Sequence, residues 1–452
     1  MNFNRWKFPI LCAAVLAVMV ALYLANAIVR HDYYDEGVYL RDAELVAAGL
    51  QPYRDFVLLH PPVGVKLWAV LLRLGAAAET VKKINLLFSG ALVVLVMTLV
   101  RRLGGPLWSS AFSGILLAAN VHFWLFSRFI HLELLLSFFL LCSATLFLLG
   151  KGKVSAVGAG VFAALAIGTK FTAIFLIVPL AALLIVRRGD RRRLYLAAGA
   201  GLVVLLVVLS DLRFPEVRRL LIDSQFSRPS GLPGSRIGLL YGIFLQDPLF
   251  WLVAAAAPLI LLAARGQDQD LRRPAAVIIG AGILATVLSA VVPRNFHDYY
   301  IFFTLPFLAA GIGLCAASFP AARRVTLAVS AMALIWIGLW RFVLPDDWSD
   351  PPVISALRAG TGTVFVENPM LARLAGREPC PGYYFSDPYS LGLLGVSSER
   401  LWEDLGRCDE VLLDRKSVAS EVVVVPYEIR SRLRQEGELI YRDDRYRLYR
   451  LK

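Results

Sequence analysis

Apolar stretches close to bilayer thickness recur through most of the first 345 residues, and this recurrence constrains the fold more than any motif. The runs are Phe8–Val29, Ile84–Val100, Leu107–Phe126, Leu134–Leu149, Val154–Gly168, Phe171–Val186, Leu194–Ser210, Ile237–Ala264, Ala275–Val292, Tyr299–Ala317 and Val325–Leu344. A hydrocarbon core near 30 Å asks for roughly 17–25 apolar residues per helix, so about eleven spans are expected, the pair split by Lys170 being short. Since 58% of the residues are hydrophobic and only 18% charged, the chain reads as a polytopic α-helical membrane protein.

The net charge of +13 does not point to nucleic acid, because the cations sit in short clusters between apolar runs. Threading from a cytoplasmic amino end (Arg5, Lys7) puts Arg101-Arg102, Lys151 with Lys153, Arg187-Arg188 with Arg191–Arg193, Arg265 with Arg272-Arg273, and Arg323-Arg324 on one face. That is the positive-inside pattern of a protein in the cell inner (plasma) membrane. Reading 154–186 as one long helix would turn the later clusters outward, so the split at Lys170 is preferred. The first run is taken as a retained helix, since no clear Ala-x-Ala site precedes the loop that follows.

The opposite face receives the long joints. Residues 1–345 are expected to form the transmembrane domain, with a first outer loop at 30–83. Residues 346–452 are expected to form a soluble extracytoplasmic α/β domain. In that tail Thr363–Glu367 and Glu410–Asp414 read as buried strands and Ser417–Val425 as a further β-rich run. Ile429–Glu436 reads as a helix and Leu439–Leu448 as a closing hairpin. Cys380 and Cys408 lie in the tail, where they either pair or stay as thiols; Cys12, Cys142 and Cys315 fall within apolar runs as small hydrophobes. Asp211–Arg236 carries Pro215, Pro229 and Pro233, and Gln246-Asp247-Pro248 reads as a kink or re-entrant break.

Polar chemistry gathers on the outer face. The first loop opens His31-Asp32-Tyr33-Tyr34-Asp35-Glu36-Gly37-Val38-Tyr39 and continues to His60-Pro61-Pro62-Val63-Gly64-Val65-Lys66. Later joints supply Ser127-Arg128-Phe129-Ile130-His131-Leu132-Glu133, Gly168-Thr169-Lys170 and Pro293-Arg294-Asn295-Phe296-His297-Asp298-Tyr299-Tyr300. One aspartate alone would be read as a helix cap. Asp32, Asp35 and Glu36 together at the end of a span favour a site, because charge near hydrocarbon is costly. Arg128 with Glu133 reads either as a structural ion pair or as part of the site. Lys170 reads as a snorkelling lysine or, in an outer turn that disfavours cations, as a functional one. His122, Trp124, Tyr299 and Tyr300 read as interface aromatics, and Val38–Leu50 as an amphipathic helix on the membrane surface.

Taken in order and sidedness, these segments resemble the membrane glycosyltransferases of the GT-C superfamily, in particular the protein O-mannosyltransferase and aminoarabinose-lipid A transferase branch. Asp35-Glu36 after the first helix matches that family's acidic pair. His60-Pro61-Pro62-Val63-Gly64-Val65-Lys66 resembles the His-Pro-Pro-Leu-Gly-Lys motif with one extra residue before the lysine. Arg128 to Glu133, Gly168-Thr169-Lys170 and His297-Asp298-Tyr299-Tyr300 match later blocks. The resemblance covers residues 8–345. It implies an inverting hexosyl- or pentosyltransferase that moves a sugar from a polyprenyl-phosphate donor to a lipid, glycan or protein acceptor. Asp35 would then be the base, with Glu36 and Glu133 as the other catalytic acids. Lys170, Arg128, Arg294 and His60 would meet the donor phosphate, and Asp32, Tyr39, Lys66, His131, His297 and Tyr299 would line the substrates. A divalent ion, Mg²⁺ or Mn²⁺, is left open, and no metal ligand is assigned. The rival reading is a transporter or lipid flippase. Transporters place ionisable groups near the midplane of broken helices and often carry internal repeats, whereas here the charges sit at span ends and no repeat is apparent.

Overall fold

The computed structural model describes residues 6–25, 34–186, 191–208, 233–263, 269–293, 297–319, 322–340, 352–380, 397–414, 425 and 427–451. In chain order the first helices are α1 (Lys7–Ala25), α2 (Tyr34–Ala47), α3 (Val63–Arg73), α4 (Ala78–Arg102), α5 (Leu107–Ala118), α6 (Val121–Phe126), α7 (Leu132–Leu149) and α8 (Lys153–Ile167). Then follow α9 (Ile174–Val186), α10 (Arg191–Val208), α11 (Pro233–Gln246), α12 (Pro248–Ala263), α13 (Gln269–Val291), α14 (Leu305–Ala317) and α15 (Ala322–Trp340). The tail adds α16 (Pro352–Ala359), β1 (Thr363–Val366), α17 (Pro369–Ala375), β2 (Glu378–Pro379), α18 (Ser398–Leu405), β3 (Glu410–Asp414), α19 (Tyr427–Glu436), β4 (Glu438–Arg442) and β5 (Tyr446–Arg450).

Two compact units result: the apolar helices form one, and residues 34–78 join the tail in the other. Among the described residues five stretches of the helical unit are long and apolar enough to cross a membrane: α4, α7, Asp270–Val291, Tyr299–Ala317 and Ala322–Leu339. The chain is thus a multi-pass membrane protein. The bent pair α11–α12 passes the same test jointly, and α1, α5, α8, α9 and α10 are shorter apolar helices.

Local chemistry explains where these helices break. The run 107–126 divides because the Asn120 side chain accepts a hydrogen bond from Phe123 N at 2.9 Å and caps α6 as a new helix. At Asp247 the chain turns by 99°; the Asp247 carboxylate accepts from Asn120 Nδ2 at 2.7 Å, Val121 N at 3.2 Å and Phe250 N at 3.3 Å. One buried acid therefore serves the amino ends of α6 and α12 together. A Cβ on Gly160 would overlap the Ala197 carbonyl, so α8 and α10 cross in backbone contact, the mode open to small residues in lipid.

In the second unit the described strands form a five-stranded sheet of order β2-β1-β3-β5-β4. β1 is parallel to β2 and β3, and β5 is antiparallel to β3 and β4. Alternate residues point to opposite faces. Val364, Val366, Leu412 and Leu448 meet Val353, Leu357 and Leu371 on one side. Phe365, Val411, Leu413 and Tyr449 meet Leu401, Leu405, Ile429 and Leu433 on the other. The run 417–425 lies almost wholly outside the described residues. Cys380 and Cys408 are joined in a disulfide, Cα to Cα 5.4 Å, which resolves the alternatives left open by their spacing.

Residues 34–78 are fastened into this unit by α2. A Cβ on Gly37 would fall 2.7 Å from Met370 N, so the glycine after Glu36 lets α2 lie directly on α17. Arg373 pairs with Glu44, and the Arg73 guanidinium caps the carboxyl end of α2 through the carbonyls of Ala47 (3.0 Å) and Val46 (2.5 Å). Glu36 to Leu40, Asp42, Ala43, Leu45 and Val46 are all buried. The surface helix expected at Val38–Leu50 is therefore covered around most of its circumference, because α3 and α17 occupy its flanks.

Candidate active site

The candidate residues fall into two groups, one in each unit. In the helical unit Glu133 occupies the first turn of α7 and is 1% exposed. One carboxylate oxygen pairs with Lys170 Nζ and the other faces His131 Nδ1. Lys170 stands in the turn between α8 and Phe171, 4% exposed, its ammonium 4.9 Å from the Tyr299 ring centroid and 4.8 Å from that of Tyr300. His131 packs edge-on to Tyr299 at 4.8 Å, and His297 stacks on Tyr299 at 5.0 Å.

An ammonium carries three N–H donors. Among the described residues Lys170 meets one acceptor, Glu133, and otherwise the π-faces of two tyrosines. Lys170 does not snorkel, and Tyr299 and Tyr300, 8% and 6% exposed, are not interface aromatics; the need to surround a buried cation draws them inward. His122 and Trp124 are buried as well. Nor does Glu133 pair with Arg128. The Arg128 guanidinium lies 3.7 Å over the Trp124 ring and 5.0 Å from that of Tyr23, and donates to the Tyr23 carbonyl at 3.0 Å. Below Tyr23 an apolar trough of about 590 Å³ runs between α1, α4 and α7, lined by Leu16, Met19, Leu87, Gly90 and Phe138 among others.

The second group belongs to α2 and its neighbours. Asp35, half-buried, and Glu36, buried, share the first turn of α2, where the helix dipole favours acids. One turn on, the buried Tyr39 ring lies 5.7 Å from His60 and 6.2 Å from Trp68. Tyr53, held at a φ of 68°, donates to the His60 carbonyl at 2.6 Å. Lys66 is exposed on the first turn of α3. Asp32 and Arg294 lie outside the described residues. Among the described residues no group of three or more His, Cys, Asp or Glu side chains is placed to hold a metal ion.

Tyr23 escaped the sequence reading, which marked Asp247 as part of a kink or re-entrant break but not as the acid that serves two helix ends. Asp247 carried a signal, an acid inside an apolar run just before a proline; Tyr23, an ordinary aromatic within the first span, carried none.

By sequence the chain matches no protein-family model and no curated protein. By fold it is similar to solved structures. ArnT from Cupriavidus metallidurans, bound to undecaprenyl phosphate, aligns at a TM-score of 0.67 over 97% of this chain and 97% of that one, with 16% identity. The archaeal oligosaccharyltransferase AglB from Archaeoglobus fulgidus, in complex with an inhibitory peptide and a dolichol-phosphate, aligns at 0.53 over 92% and 70%, with 12% identity. The arabinofuranosyltransferase AftD from Mycobacteria aligns at 0.51 over 97% and 40%, with 14% identity. The molecule shares the fold of these solved structures. Within that fold its architecture is ArnT-like along nearly the whole chain.

Proposed function

We propose that this protein is an inverting glycosyltransferase, taking a hexosyl or pentosyl group from a polyprenyl-phosphate donor to a lipid, glycan or protein acceptor at the outer face of the plasma membrane. The observation that carries this reading is Lys170: a buried ammonium with three donors and a single carboxylate partner among the described residues. Such a group suits the oxygens of a leaving phosphate, where charge develops as the glycosidic bond breaks.

In the reaction the acceptor oxygen forms a bond to the anomeric carbon while the bond from that carbon to the phosphate oxygen breaks. The electron pair leaves with the polyprenyl phosphate, and the acceptor's proton passes to the Asp35 carboxylate. Lys170 neutralises the departing phosphate, with Arg128, Arg294 and His60 as further cationic or donor groups. Glu133 has both oxygens engaged, so its role is to hold Lys170 and His131 rather than to take a proton. Glu36 orients the acceptor, and Asp32, Tyr39, Lys66, His131, His297 and Tyr299 line the substrates. The trough below Tyr23 supports a lipid-borne substrate, since its lining is almost wholly apolar.

In this reading 1–345 is the catalytic membrane domain, with about eleven spans once the shorter apolar helices are counted, and 346–452 is an extracytoplasmic α/β domain. The amino end is cytoplasmic. The Cys380–Cys408 disulfide supports the tail's placement, since structural disulfides persist in oxidising compartments. The test is mass spectrometry of products from vesicles holding the full chain, supplied with polyprenyl-phosphate sugars and candidate acceptors. D35N, inserted and folded, is expected to lose at least about 100-fold of transfer. Unchanged transfer would remove Asp35 from the reaction, and movement of the sugar-lipid without a new glycosidic bond would establish the transporter reading instead.

A further inference from the structure

A second trough, of about 490 Å³, lies between α12 and α13, away from every residue assigned above. Pro258 and Leu262 form one wall, Ala276 and Gly280 the other, and Arg272 and Arg273 stand at one end. Ala276 and Gly280 are a helical turn apart and exposed, and a Cβ on Gly280 would meet nothing within 4 Å. From Arg272 to Gly280 the groove follows α13 for about 12 Å, eight residues at the helical rise. Leu262 beside it is 64% exposed, as suits a surface facing hydrocarbon.

The polar end is built differently. Arg272 Nη2 donates to the Leu261 carbonyl at 2.6 Å, one of the acceptors that the carboxyl end of α12 leaves without an intrahelical partner. That bond pins the guanidinium at the mouth of the trough. Its Nε is buried there with no hydrogen-bond partner among the described residues, and a buried donor without an acceptor is costly. Arg273 follows, exposed, and the first turn of α13 adds the positive end of a helix dipole. A phosphate at the mouth would meet the guanidinium where it lines the trough, in the planar geometry that suits phosphate oxygens.

We propose that this trough binds an anionic bilayer phospholipid, its phosphate on Arg272 and Arg273 and one acyl chain along Ala276 and Gly280. Basic pockets between membrane helices on the cytoplasmic side take anionic head groups in this way. Only the choice of leaflet, the cytoplasmic one, rests on the orientation proposed above. The lipid is a bound component of the helical unit, distinct from the donor handled by Lys170.

Native mass spectrometry of the full chain released from micelles tests this, with added phosphatidylglycerol, phosphatidylcholine of the same acyl chains, or undecaprenyl phosphate. Phosphatidylglycerol is expected to bind about ten-fold more tightly than phosphatidylcholine, a difference near 1.4 kcal/mol. R272Q/R273Q is expected to erase that preference, whereas R323Q/R324Q, another basic joint on the same predicted face, keeps it. G280L fills the groove with a good helix former and is expected to weaken both phospholipids. Equal binding of the two phospholipids to the wild type, loss of preference in R323Q/R324Q, or undecaprenyl phosphate displacing phosphatidylglycerol from the trough would each overturn the proposal. Should R272Q/R273Q fail to fold, G280L decides alone: undiminished phosphatidylglycerol binding contradicts it.

Discussion

Each compact unit buries carboxylate–cation pairs, and those of the two units are finished differently. In the tail, Arg377 donates to Glu410 at 2.9 Å and spends its other donors on the carbonyls of Gly362 (3.0 Å), Leu357 (2.8 Å) and Thr361 (2.6 Å). Glu367 likewise accepts from Arg430 at 2.9 Å and from Asp414 N at 3.0 Å. These are multiply bonded clamps that hold strands and loops in place. In the helical unit Lys170 shares one carboxylate and otherwise faces aromatic rings. A guanidinium with four of its five N–H donors engaged has little left to offer a ligand; an ammonium that meets one acceptor among the described residues has more. The difference supports the proposed reading, in which the tail pairs are structural and the membrane pair belongs to the site.

The sharpest way to break this contrast is to change both members of the membrane pair. K170M is expected to lower transfer by about 10²–10³-fold, the scale of removing one donor from a developing oxyanion. It also strands Glu133, at a cost on the order of 3–5 kcal/mol. Adding E133L should recover most of that stability, because an apolar pair replaces an ionic one, yet transfer should stay lost. Thermal unfolding and turnover of K170M/E133L together check this; active K170M/E133L would make the pair merely structural. R377M, by contrast, should destabilise the tail by a similar few kcal/mol, while whatever protein folds turns over normally.

The disulfide is expected to matter next. C380S/C408S opens a loop of 28 residues, worth about 3–4 kcal/mol by chain entropy. The loss should appear in unfolding of the tail and be mimicked by reductant on the wild type. A reductant-insensitive wild type would count against it.

The smallest effect concerns pH. Asp42 is buried in α2, and desolvation lifts its carboxyl well above the usual range, with Arg41 only partly opposing. Between the ordinary carboxylate range and its own raised value the folded protein keeps a proton that the unfolded chain has released. Stability therefore falls as pH rises through that window. D42N removes this slope, so its advantage over the wild type in unfolding should widen with pH. A constant gap would show that Asp42 is not held protonated.

Much of this arrangement was legible in the residues, for identifiable reasons. The positions of the apolar runs follow from length and hydropathy, and β1, β3, α19 and the β4–β5 hairpin from periodicity. Lys170 and Glu133 stood out because charge beside hydrocarbon demands a partner, although each other's identity as that partner did not. What was hidden is tertiary. That Gly37 lets α2 lie on α17, and that Arg373 reaches back to Glu44, joins residues more than 300 apart, and no local pattern announces such a contact. The inward turn of Tyr299 and Tyr300 is equally hidden, since aromatics at a span end look the same whether they face lipid or a buried cation.

The measurement that bears most directly on Lys170 as the phosphate anchor is phosphorus NMR of undecaprenyl phosphate titrated into micelles of the full chain. The account predicts a shifted, saturable phosphate resonance for the wild type, preserved in R377M that remains folded and absent in K170M/E133L. An identical resonance for wild type and K170M/E133L would contradict it.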